Sequence, residues 1–380
     1  MIYADNAATT QLDEGALKAM MPYLKTEYGN ASEPYAFARP AKKALKESRE
    51  IIASCINADP DEIFFTSGGT ESDNWAIKGI MIGTLKNREL ITTSIEHHAI
   101  LNSAATIERV GYSVTYLPVN SIGQVLPEVL ESKLSSKTEM VSIMLSNNEI
   151  GTIQPIKELT KIAHSKGVLF HTDAVQAVGH IPIDVKDLGI DMLSASAHKF
   201  NGPKGVGFLY IKKGTPLSSY ADGGAQELGM RAGTENIPAI VGMAIALKRN
   251  CTDMDSNIKH ILSLESSLMN RLASSNLEFK RNGGVNMIPG NISLSFRNVE
   301  GEMILHRLDL KGICVSTGSA CDSKNTQISH VLKAIGLQEE YAKGTIRISL
   351  GRYNTTEDVD IIADALVSIL AKRYAPVNGK

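Results

Sequence analysis

The run "DMLSASAHKFNGPKG" sets Lys199 in a turn of small residues directly behind an apolar stretch, and "GVLFHTDAVQ" ends another such stretch on Asp173. A carboxylate in that position is costly without a cation, so Asp173 needs a positively charged partner. In "EIFFTSGGTESDNWAIKG" two glycines and a threonine open a helical pattern after an apolar run. Such a turn aims backbone N–H groups and a helix dipole at an anion, which makes Gly69 and Thr70 a candidate phosphate cradle. "ELITTSIEHHAI" puts His97 and His98 behind a fourth run; adjacent side chains point in different directions, so at most one is expected to face a site there. "MVSIMLSNNEIG" places Asn147 and Asn148 where they could cap a turn or meet a ligand. A sixth stretch, "VSTGSACDSKNT", holds Cys321 among small and polar residues, although a cysteine kept for packing belongs in an apolar run. Taken singly, each has an ordinary reading: a solvated lysine, a plain strand-to-helix turn, a structural histidine, an exposed thiol with no role.

One cofactor would use these parts together. Pyridoxal phosphate needs a lysine for its Schiff base, a carboxylate to keep its ring nitrogen protonated, a phosphate cradle and something to cover the ring. Lys199, Asp173, Gly69 with Thr70, and His97 fill those roles in that order.

The elements that must position them read as an α/β layered fold with a mostly parallel sheet, because short β-rich apolar runs alternate with helical stretches. Candidate strands are 62–67, 89–94, 140–146, 167–174, 191–198 and 205–211, and in such sheets ligands bind beyond the carboxyl ends of the strands. "PIKELTKIAHSKG" is a helix with Pro155 near its start and Gly167 as its stop. Near residue 250 the rhythm changes to one long helical stretch, then "GNISLSF", "EGEMILHRLDLKG", "ICVS", the cysteine loop, "TIRISLG" and a final amphipathic helix. The expected organisation is a large domain over 13–255 and a smaller α+β domain built from 1–12 and 256–380, the latter carrying a mobile cysteine loop at about 316–330.

The chain has 380 residues, 43% hydrophobic and 21% charged, the balance of an ordinary globular protein. Its 39 Lys plus Arg against 41 Asp plus Glu give no global basic field, so direct binding to nucleic acid or an anionic membrane is not expected. The four cysteines, at 55, 251, 314 and 321, are too scattered for a disulfide framework or a metal site. Cys314 lies in apolar "GICVS" and Cys55 and Cys251 in helical contexts, so these three read as structural. "MIYADNAATT" is not a signal peptide, and the longest apolar run, "IPAIVGMAIAL", is short of the roughly 18 residues a membrane span needs. A cytoplasmic protein is the expectation.

Nearly end to end, the chain resembles the cysteine desulfurases of the NifS/IscS type, which belong to the class-V aminotransferases among the fold-type I pyridoxal-phosphate enzymes. The motifs that carry the resemblance are "YADNAATT", "FFTSGGTESDN", "EHHA", "SNNEIGTIQPI", "HTDAVQ", "SAHKFNGPKGVG", "GGAQELGMRAGTENI", "STGSACDS" and "TIRISLGRYN". The form of the cysteine motif is that of the family's group I, whose members carry the cysteine on a long flexible loop. The resemblance implies that Lys199 binds the cofactor, Asp173 pairs its ring nitrogen, Gln176 reaches its ring hydroxyl and His97 stacks on its face. It further implies that Gly69, Thr70, Ser196 and His198 gather around the phosphate, and that Thr234 reaches it from the other subunit of a homodimer. Asn148 and Arg347 match substrate contacts, and a guanidinium suits bidentate grip of an α-carboxylate.

The implied reaction converts L-cysteine to L-alanine while Cys321, as thiolate, takes the sulfur as a persulfide for delivery to an acceptor in iron-sulfur assembly or thio-modification. A loop of small residues around Cys321 suits both collecting and delivering sulfur. Asp322 next to it, where many relatives carry an uncharged residue, would raise the thiol's pKa by repelling the thiolate. Two other readings stand beside this one. One keeps the cofactor but changes the chemistry, as in a selenocysteine lyase or an aminotransferase; the other is a sulfur-relay partner with low free turnover.

Overall fold

A computed structural model describes residues 1–82, 88–317 and 328–374. Cys321 and most of the expected cysteine loop lie outside these residues. Apolar, β-branched runs form strands β1 (Ile2–Tyr3), β2 (Ile63–Thr66), β3 (Glu89–Thr93), β4 (Ser113–Leu117), β5 (Thr138–Ser142) and β6 (Leu169–Asp173). They continue with β7 (Met192–Ser196), β8 (Gly207–Ile211), β9 (Phe279–Arg281), β10 (Asn291–Phe296), β11 (Ile313–Cys314) and β12 (Thr345–Ser349).

Seven of them form the main sheet in the order β2-β8-β7-β6-β5-β3-β4. Only β8 runs against its neighbours, so the other six all end on the same edge. That shared edge is where Ser67, Ser94, Ile143, Ala174 and Ala197 begin their connections. Strands β2, β7 and β8 are buried throughout, as expected of strands covered on both faces. β4 was not expected from the sequence: it is an edge strand that, unlike β2 at the other edge, is mostly half-buried or exposed, and its "SVTYL" lacks a clean apolar run.

The helix expected around Pro155 spans Ile156–Ser165, with Pro155 at its N-cap and Gly167 in the left-handed region at φ 71°. The long helical stretch is in fact two helices, Ile237–Thr252 and Met254–Ala273, broken at Asp253. A second core gathers Ala4 with Ile261, Leu264, Leu268, Phe296, Ile304, Ile346, Ile362 and Leu366, around the three-stranded sheet β12-β10-β9 and the parallel pair β1-β11. The first residues therefore do pack with the C-terminal part of the chain. Residues just past the cysteine segment do not stay within that core: Val331, Leu332 and Ile335 pack on Ile95, Met144 and Ile150 at the edge of the main sheet. None of the described helices is long and apolar enough to cross a membrane.

Candidate active site

The common edge of the strands opens into a cavity of about 430 Å³ lined by residues from both parts of the chain. β7 ends at Ser196 and turns through a single 3-10 turn, Ala197–Lys199, which delivers Lys199 to the cavity. Its Nζ donates to the carbonyls of Ala7 at 2.7 Å and Ala8 at 2.8 Å, so the N-terminal segment forms one wall of the site. Gln176 donates from Nε2 to the same Ala7 carbonyl at 3.0 Å.

β6 ends at Asp173, which is 5% exposed and accepts from Val175 N–H at 2.9 Å. Burial raises its pKa, while the charges of His97 and Lys199 and the Val175 hydrogen bond pull the other way. A cation placed against this carboxylate would find it pre-positioned and poorly solvated.

Behind β3, His97 is the N-cap of helix His98–Arg109, its Nδ1 accepting from Ala99 N–H at 3.1 Å. That bond fixes the neutral tautomer with its proton on Nε2. Burial, with Lys199 and His98 as nearby cations, holds the His97 pKa below the ordinary value against the pull of Asp173. Contrary to the expectation that only one of the pair would face the site, both His97 and His98 line the cavity. The reason is local: His97 is extended (φ −63°, ψ 150°) and His98 starts the helix, so strand-like alternation is already lost between them.

The cradle forms at Gly69, the first residue of helix Gly69–Met81. A Cβ there would lie 2.5 Å from Val175 Cγ2, and Gly68 sits at φ +149°. One strand over, a Cβ on Gly207 would fall 2.4 Å from the Ala195 carbonyl and 2.8 Å from Gly68 Cα, so this glycine lets the turn approach β7. Thr70, Ser196 and His198 line the same end of the cavity. His198 shares a 3.2 Å hydrogen bond with Thr9 Oγ1, and burial together with Lys199 and Lys204 lowers its pKa to about 4. The backbone N-terminus, small residues and neutral imidazole make a donor set fit for a phosphate. Together with Lys199 and buried Asp173, the residues present fit pyridoxal phosphate.

Arg347 on β12 enters from the other side, 5% exposed. It donates to Asp5 Oδ1 at 2.8 Å and to the Asn148 carbonyl at 2.9 Å, while its buried Nε has no hydrogen-bond partner among the described residues. Asn148 lines the cavity too, and Asn147, by contrast, is structural: its side chain holds the Ile95 carbonyl and the turn at Glu149 and Ile150. Thr234 is exposed and does not line the cavity of its own chain. Its segment is tied to the cradle helix by Arg231, which donates to both Glu71 oxygens at 2.9 and 3.2 Å.

Several residues were missed at the sequence level. Asp5 orients Arg347 across 342 residues of chain, a pairing no local pattern reveals. Glu96 is fully buried, accepting from Thr93 Oγ1 and Met144 N–H, and burial pushes its pKa up to about 8 against those bonds. Asp73 and His171 lie 3.8 Å apart beneath the cavity. Burial, with Asp173 nearby, raises the Asp73 pKa well above its ordinary value, and burial lowers His171 to about 3, so the imidazole is neutral near pH 7 and the contact is not that of an ion pair. His171 shares hydrogen bonds with Ser142 and Ser194, both at 2.9 Å. Ser329 and His330 complete the rim, Ser329 donating to Glu149 at 2.6 Å and His330 meeting the Glu96 carbonyl at 3.0 Å. Asp5, Asp73, Glu96, Glu149 and His171 do fall inside the quoted motifs YADNAATT, FFTSGGTESDN, EHHA, SNNEIG and HTDA, but nothing in those motifs alone assigns them a partner; Ser329 and His330 fall in none.

A parallel-stranded sheet with a lysine, a buried carboxylate and a helix N-terminus at one edge defines a pyridoxal-phosphate enzyme of the α/β class, and the aminotransferase class-V profile matches residues 2–362. The chain is 48% identical to "Cysteine desulfurase IscS" of Dictyoglomus turgidum, over 98% of this chain and 95% of that one. Among solved structures it is similar to a "NifS-like protein" (TM-score 0.92, 40% identity, 98% and 99% of the two chains covered). It is also similar to "SspA in complex with cysteine" (TM-score 0.83, 36% identity, 93% and 100% covered). The chain belongs to the cysteine desulfurase family of class-V aminotransferases. It is a pyridoxal-phosphate-dependent cysteine desulfurase.

Proposed function

We propose that the chain works as a homodimer that converts L-cysteine to L-alanine, leaves the sulfur on Cys321 as a persulfide and hands it to an acceptor protein. The observation that carries this reading is the convergence of Lys199, Asp173, His97 and the unpartnered Arg347 Nε on one cavity. When bound, pyridoxal phosphate draws electrons from the amino acid's α-carbon, weakening its Cα–H and, in turn, its C–S bond. Gly69, Thr70, Ser196 and His198 would hold the phosphate, with Thr234 contributed by the partner subunit. Asp173 would pair with the ring nitrogen, Gln176 with the ring hydroxyl, and His97 would cover the ring face.

Substrate binding falls to Arg347 and Asn148. Asp5 already fixes the guanidinium plane, so an α-carboxylate meets donors that need little reorientation. Lys199 would be the base that takes the α-proton, and the two carbonyls that accept from its Nζ support this reading by keeping it at the cavity. His97 is neutral near pH 7, so it can take the proton of the incoming Cys321 thiol. The thiolate attacks the substrate sulfur, the C–S bond breaks, and the carbon skeleton leaves as alanine: L-cysteine and one thiol become L-alanine and one persulfide. Residues 13–255 as a large unit and 1–12 with 256–380 as a small one fit this division of labour, cofactor on one side and Arg347 and Cys321 on the other.

The test is Lys199→Ala. Alanine formation should fall by at least ~10³-fold, within the range general acid–base and covalent groups supply, while the absorbance of lysine-bound cofactor disappears. Retention of that absorbance, or of near-normal turnover, would remove Lys199 from this role.

A further inference from the structure

The two carbonyls that accept from Lys199 Nζ belong to neighbouring residues, Ala7 and Ala8. Residues 6–8 form a tight turn that Ala8 N–H closes on the Asp5 carbonyl at 3.0 Å, and the turn brings both carbonyls round to one amine. Two side chains hold it. At the end of β12, Ser349 Oγ accepts from Ala7 N–H at 2.9 Å, and the Ser349 carbonyl accepts from Asn6 N–H at 3.1 Å and Asn6 Nδ2 at 2.9 Å. The Tyr3 hydroxyl ties the flanks of the turn, in reach of the carbonyls of Asp5 at 3.0 Å and Thr9 at 2.8 Å. Neither Ser349 nor Tyr3 lines the cavity. Ser349 nevertheless shares a face of β12 with Arg347, two residues before it, so one strand serves both the proposed carboxylate grip and the seat of the lysine.

We propose that Ser349 and Tyr3 are positioning residues for Lys199, aiming the Ala7 and Ala8 carbonyls at Nζ so that they steady the ammonium formed when the lysine takes the α-proton. In that step the Cα–H bond breaks, an N–H bond forms at Nζ, and the electron pair stays with the substrate carbon. A carbonyl oxygen can only accept, so the pair is best satisfied by a lysine carrying all its protons. Without Ser349 Oγ, the N–H of buried Ala7 loses its acceptor and the turn is released to re-aim both carbonyls. The proposal rests on the reading of Lys199 as the base.

The experiment uses full-length Ser349→Ala and Tyr3→Phe, with wild type, Asp5→Asn and Lys199→Ala as references. In the holoenzymes, loss of the α-hydrogen of L-alanine in D2O is followed by proton NMR over a range of alanine concentrations, which reads proton transfer without any sulfur step. Exchange at saturating alanine should fall about 10-fold in Ser349→Ala, and less in Tyr3→Phe, with the half-saturating concentration little changed. Asp5→Asn should do the reverse. The same chains freed of cofactor are then treated at one pH with trace acetic anhydride and digested for mass spectrometry. Relative to exposed Lys43, acetylation of Lys199 should rise about 10-fold in Ser349→Ala and by less in Tyr3→Phe, since the carbonyls no longer engage the amine. Tyr3 is an exposed side chain, so Tyr3→Phe carries the same test should Ser349→Ala not fold. Wild-type exchange and wild-type labelling in both variants would overturn the proposal, and with exchange absent in Lys199→Ala the base reading would still stand. Exchange retained in Lys199→Ala would overturn that reading and the proposal together. A change in half-saturation alone would assign Ser349 to Arg347 and overturn the proposal too.

Discussion

At the scale of single residues, the site is a set of polar groups whose states are set by burial and by partners far away in sequence. Asp5 shows this best, because its carboxylate holds Arg347 in place without being placed to touch substrate chemistry. Asp5→Asn keeps the shape and removes the charge. A lost charge-assisted hydrogen bond is worth about 1.5–3 kcal/mol, so KM for L-cysteine should rise ~10-fold or more while kcat changes little. An unchanged KM would mean Arg347 is positioned by the Asn148 carbonyl alone. His171 makes a second prediction, on stability. Its pKa is about 3 in the fold and 6.5 in an unfolded chain, so between those values the unfolded state binds the extra proton. Stability must therefore be full above pH ~6.5 and fall with pH, by about 1.4 kcal/mol per unit. Buried Glu96, raised to about 8, has the opposite sign, gaining as pH falls from there towards its unfolded value. Comparing urea unfolding of wild type and His171→Asn across that range isolates the histidine, since Glu96 is common to both. The variant's slope should be shallower by about one proton; identical slopes would contradict a neutral buried His171.

At the scale of elements, the cradle depends on backbone closeness that a side chain would spoil. Gly69→Ala introduces a better helix former, favoured by about 1 kcal/mol in a helix. The new Cβ, however, would sit 2.5 Å from Val175 Cγ2 and push the helix start off β6's connection. Affinity for pyridoxal phosphate, measured by absorbance titration, should drop ~10-fold. A variant with unaltered affinity and a higher melting temperature would show that the turn has room. Much at this scale was legible in the sequence. Asp173 ends a buried strand and Lys199 and Gly69 come three residues after one, and buried strands betray themselves as apolar runs. β4 was not legible because an edge strand needs no such run, and the break at Asp253 was hidden because both flanking helices share a continuous apolar face pattern. The paired placement of His97 and His98 was misjudged for a related reason, since it depends on where strand geometry gives way to helix.

At the scale of the whole molecule, the chain brings its first residues, its strand ends and β12 to one cavity. Asp5–Arg347, Lys199–Ala7 and Gln176–Ala7 close loops of more than 160 residues each, and no local pattern announces them. Thr234 is exposed and does not line its own cavity, and its segment is braced by Arg231 and Glu71. Burial works against the charged form of Glu71, but the hydrogen bonds from Arg231 and Ser67 outweigh it and hold the carboxyl below its ordinary pKa. The account as a whole turns on the fate of the substrate's sulfur. The most direct measurement follows alanine formed from L-cysteine and the intact mass of the chain, for wild type and Cys321→Ser side by side. The account predicts alanine with one added sulfur on wild type, and loss of both in the variant. Equal alanine production by Cys321→Ser would contradict it, and would move the chemistry to a lyase-like reaction that does not use this thiol.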